Sequence, residues 1–128
     1  MVKNDLSASE IIGKYLDSLK IIEKSNLEGE YKIGNKEGKK IIKLFKGLEQ
    51  NHEQALEVLS QLITNESVKV RICAAAHCLS LNILLNQAIK TLEEIASLKI
   101  RIFSFEAEMT LKVYREQGYL KVYPAQKI

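Results

Sequence analysis

The sequence has no tryptophan, a single proline and two cysteines, and each shortage removes a class of reading. The proline is Pro124, so no earlier position carries the ring that breaks helices. Cys73 and Cys78 are five residues apart, and on one helix they project about 140° from each other, too far round to pair. They lack CxxC spacing and read as small buried hydrophobes of a reducing compartment. The opening MVKNDLSASE has no apolar core, which argues against a secretory signal. No apolar run approaches the roughly 18 residues that span a bilayer. The expectation is a cytoplasmic protein with no membrane partner.

Charge is also nearly balanced. Nineteen Lys and Arg face sixteen Asp and Glu, and a net +3 is too weak a field to demand a nucleic-acid partner. The two histidines, His52 and His77, fall in different segments and form no HExxH pattern. His77 is expected opposite the main apolar stripe of its helix. G-x-S-x-G is missing, and so is a glycine loop that could cradle phosphate. The chain is therefore expected to have no catalytic residue, metal or cofactor, and to be no enzyme.

What is present is helical periodicity. A hydrophobic fraction of 46% over 128 residues supports one globular domain, 1–128, with 1–6 and 121–128 flexible. Ser7 and Glu10 form a capping-box pattern that predicts a helix over 8–24. Residues 25–34 read as a loop or a poor helix, because Gly29 and Gly34 interrupt them. Further helices are expected at 35–49, 52–64 (capped by Asn51), 67–81 (capped by Asn65 or Ser67), 86–96 (capped by Asn86) and 98–117. Gly118 ends the last one, and Pro124 marks the tail as non-helical.

The chain also repeats itself. Ser67–Leu81, SVKVRICAAAHCLSL, returns as Ser97–Leu111, SLKIRIFSFEAEMTL, at an offset of 30. Gln54–Leu62 returns as Gln87–Ile95 at an offset of 33. Two helix types therefore alternate, and neither buries its stripe alone. Stacking them gives an all-α fold of about six helices, an α–α superhelix of HEAT-like type. The alignment matches Val68, Ile72, Ala75 and Leu79 with Leu98, Ile102, Phe105 and Met109 as the core stripe. It leaves Phe103, Ala107, Leu111 and Tyr114 as an outer apolar face of the last helix. The tail, through Leu120, Val122 and Tyr123, or a second chain would cover that face, so monomer and dimer stay open.

Two sets of polar residues stand out. Arg71 and Arg101 align along one edge of successive repeats, while Glu106 replaces Ala76 beside the core and Glu108 lies near Arg101. Such arginines commonly bond an acid or carbonyl of the stack; otherwise Arg71, Arg101, Glu106 and Glu108 are candidates for contacting a protein partner. The second set is Lys36, Lys39, Lys40, Lys43 and Lys46, with Glu37 the one acid among them. That face is either plain solvated surface or the side of a basic amphipathic helix that binds nucleic acid, phosphate, a membrane or an acidic partner, of which nucleic acid or phosphate is the reading carried forward.

VRICAAAHCL (70–79) and FEAEMTLKVYREQGYL (105–120), with GEYKIGNKEGKKIIKLF (29–45), resemble a family of short bacterial HEAT-like proteins of unknown function. The AEMTL run at 107–111 followed by Tyr114 is the most telling part, and Gly34 departs from the usual Ala before Asn35-Lys36. The resemblance covers about 11–120. It implies an α–α superhelix and no established activity; members of this kind of family sometimes sit beside bacterial toxins, where small solenoids act as immunity proteins. The expected function is a non-enzymatic protein-binding scaffold of that kind, or a nucleic-acid or phosphate-binding accessory protein.

Overall fold

The structure, a computed structural model, describes residues 6–121. Those residues form six helices and no strand: α1 (Ala8–Glu28), α2 (Tyr31–Glu49), α3 (His52–Leu62), α4 (Val68–Leu81), α5 (Leu85–Ser97) and α6 (Arg101–Gln117). None of these helices is long and apolar enough to cross a membrane. The chain divides into two compact units, Met1–Val58 and Leu59–Ile128, the division falling inside α3. The expected flexible ends, with Val122, Tyr123 and Pro124, lie outside the described residues, except Leu6 and Lys121. Leu6 is held: its carbonyl accepts a 2.8 Å bond from the Gln54 side chain.

In the first unit, α1 and α2 form a hairpin. Ser7 caps α1 as expected, accepting from the Glu10 N–H at 3.1 Å while Glu10 accepts from the Ser7 N–H at 2.9 Å. That backbone bond is the main cause holding the Glu10 carboxyl below its ordinary pKa. The doubtful stretch 25–34 is helical except at Gly29 and Glu30. Gly29 takes the left-handed conformation, φ 74°, which closes α1 and turns the chain at once into α2. Gly34 is a helical residue that lets the hairpin close tightly. A Cβ there would stand 2.7 Å from the Ser25 hydroxyl, which is buried and bonded to the Ile22 carbonyl. Ile11, Tyr15 and Leu19 of α1 and Ile41, Leu44, Phe45 and Leu48 of α2 are buried. Asn51 caps α3 through the Gln54 N–H.

The second unit holds the end of α3 and α4 to α6. Ser67 caps α4, and Asn65 in turn accepts from the Ser67 N–H at 2.8 Å, so both expected residues act. Asn82, left-handed at φ 58°, ends α4. Asn86 caps nothing: α5 begins at Leu85, behind Leu84 in a left-handed conformation. The expected start of the last helix at 98 is also displaced. Leu98 closes α5, Lys99 turns at φ 56°, and α6 begins at Arg101. Buried Ser104 fixes this link, accepting from the Ile100 N–H at 2.7 Å and donating to the Ile95 carbonyl at 2.8 Å.

The repeat in sequence is therefore only half a repeat in structure. Ala74 and Ser104 are both buried, as are His77 and Ala107. The other matched face diverges. Ile72 and Ala75 of α4 are buried, whereas Ile102 and Phe105 of α6 are 69% and 60% exposed. The expected inward stripe of the last helix faces solvent. The expected outer face is inward: Ala107 and Leu111 are buried and Phe103 and Tyr114 half-buried. The cause is that, among the described residues, α6 packs through one face only, against α5 and α4. The small residues Ser104 and Ala107 allow the close approach, and the bulky Ile102 and Phe105 are left outside.

Candidate functional sites

The solvent side of α6 carries an apolar stripe. Ile102, Phe105, Met109 and Val113 recur three or four residues apart, which places them on one side of a helix. Ile102, Phe105 and Val113 are exposed and Met109 is half-buried. Leu98 and Ile100, in the link before the helix, are exposed too. Isolated exposed apolar residues are common, but a stripe of large ones on a helix that already buries its opposite face is a candidate interaction surface. The sequence showed these residues as apolar; the repeat misassigned Leu98, Ile102, Phe105 and Met109 to the core.

The four expected partner-contacting residues do not form one cluster. Arg71 is half-buried, and its guanidinium donates to the carbonyls of Asn65 at 3.0 Å and Glu66 at 3.3 Å, holding the loop before its own helix. Arg101 is the first residue of α6, exposed, with a backbone φ of 36°. The two arginines thus occupy different turns of their helices, because α6 starts late. Glu106 lies 3.9 Å from the Lys69 ammonium of α4. Glu108 lines a shallow groove of about 580 Å³ between α5 and α6, beside the 2.7 Å Arg115–Glu93 ion pair.

Sequence placed His77 on an outer face; the structure buries it, with 1% of its surface exposed. Its Nε2 is 3.8 Å from the Cys73 sulfur. Burial lowers the His77 pKa to about 3 and pushes the Cys73 and Cys78 thiols up to about 12. At neutral pH the pair is an uncharged imidazole and a thiol, a packing contact rather than a nucleophile and its base. Among the described residues no group of three or more His, Cys, Asp or Glu could hold a metal ion.

The five expected lysines share one face of α2. At about 100° per residue, Lys36, Lys39, Lys40, Lys43 and Lys46 fall within an arc of about 120°, opposite the buried Ile41, Leu44 and Leu48. The helix starts at Tyr31, so Lys32 joins the same arc and is exposed. Reading 25–34 as a possible loop hid this residue. Glu37 lies outside the arc: it is buried, accepts from the Ser18 hydroxyl at 3.0 Å and pairs with Lys40 at 2.9 Å. The Lys40 contact, helped by Ser18, keeps its carboxyl below the ordinary pKa against the opposing effect of burial. Lys46 pairs with Glu49 at 3.4 Å. Lys32, Lys36, Lys39 and Lys43 have no ion-pair partner among the described residues.

In comparisons with known proteins, no family model, no curated protein and no solved structure matches the chain.

Proposed function

We propose that this chain is a non-enzymatic protein-binding module that docks a partner on the solvent side of α6. The observation that carries the reading is the exposure of Ile102 and Phe105 on a helix whose other face is already buried. Bulky apolar anchors of this kind dominate protein interfaces, and water gains from their removal. The spacing of the repeats supports a HEAT-like stack behind it. The resemblance to short bacterial proteins supports a partner of toxin type, with this chain in the immunity role.

The test is an affinity capture from the native host, read by mass spectrometry, with the intact chain and with Ile102→Asp/Phe105→Asp. The intact chain recovers a protein that survives a high-salt wash, and the double variant, equally well folded by circular dichroism, loses it. Recovery of nothing under mild conditions contradicts the reading, and so does equal recovery by both.

A further inference from the structure

A second surface, independent of α6, carries its own inference. The first unit, residues 1–58, contains ten lysines and ten acids and so has no net charge. Its charges are nevertheless segregated. α2 alone holds six lysines against Glu37 and Glu49, and both of those acids are engaged at Lys40 and Lys46. From Lys32 to Lys46 the stripe extends about 21 Å along the helix, at 1.5 Å per residue. Successive lysines are at most four residues apart, about one helical turn.

The chemistry of the stripe narrows the partner. A protein interface core is depleted in lysine and rich in aromatic and apolar anchors, and none of those interrupts this arc. Single-stranded nucleic acid needs aromatic platforms for its bases, and the lysine arc has none. An anionic membrane would need apolar residues to insert, and the apolar side of α2 is spent in the core. The exposed Leu27, Tyr31 and Ile33 at the hairpin turn are interleaved with Glu28 and Glu30, which anionic headgroups would repel. What remains is a polymer of evenly spaced surface charge. A stripe of about 21 Å faces roughly six base-pair steps of a duplex at 3.4 Å each. Lysine is a point charge without the bidentate fork that reads a base edge, so such contacts position without specifying.

We propose that the lysine face of α2 binds the phosphate backbone of duplex nucleic acid without reading its sequence. Lys32, Lys36, Lys39 and Lys43 make the contacts, with Lys40 and Lys46 exchanging their carboxylates for phosphates at the edges.

The experiment is fluorescence anisotropy of a short labelled duplex of random sequence, titrated with the full chain across a salt series. Affinity falls steeply with salt, and K36E/K39E/K43E lowers it at least about tenfold while reducing the slope of log affinity against log salt by about 3. A charge-matched control, K20E/K24E/K90E, changes three exposed lysines elsewhere and keeps most of the binding. The neutral K36Q/K39Q/K43Q set, with thermal melts of every variant, separates lost contacts from lost folding. The docking variant Ile102→Asp/Phe105→Asp binds the duplex unchanged, so this inference and the protein-docking reading fail separately. Absence of duplex binding at low salt overturns the proposal, as does an equal loss in the control set. Tighter binding to the single strand, or binding to anionic vesicles in place of the duplex, overturns it as well.

Discussion

Helices α4 and α6 are written in nearly the same pattern and have opposite surroundings. In α4, Val70, Ile72, Ala74, Ala75, His77, Cys78 and Leu79 are buried, which covers an arc of about 220° at 100° per residue. In α6 only Ser104, Ala107 and Leu111 are buried. The residues aligned with Ile72 and Ala75 are Ile102 and Phe105, and they stand in solvent. A shared pattern therefore specifies that a face can pack, but not that a neighbour exists to pack against it. The face without a neighbour among the described residues is where function is to be sought.

The comparison breaks most sharply at the matched isoleucines. Ile72→Ala opens a cavity in a closed environment and costs about 2–5 kcal/mol. Ile102→Ala removes a solvated side chain and stays within about 0.5 kcal/mol. Urea denaturation of the two variants measures both, and similar losses would erase the distinction between the helices.

His77 extends the contrast to pH. It is buried in α4, and its aligned residue in α6, Ala107, has nothing to titrate. The folded pKa of about 3 lies below the ordinary 6.5, so the unfolded chain takes up the proton first as pH falls. The corresponding stability is complete above pH 6.5 and is lost progressively toward pH 3, by about 3 kcal/mol at pH 4.5. His77→Leu flattens that part of the pH profile, as denaturation series at pH 7 and 4.5 can show.

Ser104 locks α6 in its one-sided position. Ser104→Ala leaves the Ile100 N–H and the Ile95 carbonyl without the hydroxyl and costs about 2 kcal/mol. It also speeds amide exchange at Ile100, while the aligned α4 residue, Val70, is unchanged. The smallest effect lies in the other unit. Gly34→Ala gains helix propensity but displaces the Ser25 hydroxyl, giving a change of about 1 kcal/mol or less. In a Ser25→Ala background the same substitution stabilises by about 1 kcal/mol.

Most of the helices were legible in the sequence because their signals are local. The Ser7–Glu10 box, Asn51, Ser67 and Gly118 mark ends that the structure places within a residue or so. The misjudged ends have backbone causes instead: left-handed Leu84 and Lys99 carry no turn residue's signature. The lysine face was visible from spacing, save for Lys32. The apolar stripe of α6 was visible as apolar, but its outward direction depends on tertiary packing and on the Ser104 bonds, which periodicity does not encode.

The openness of that stripe is most directly measured by thiol labelling of Phe105→Cys with a maleimide, counted by intact mass. Folded wild-type chain, whose Cys78 is buried and Cys73 half-buried, labels slowly. Phe105→Cys adds one rapidly labelled thiol, at nearly the rate of the denatured chain. A thiol at 105 as protected as Cys78 would show that the face is covered, and would contradict the assignment of α6 as an open docking helix.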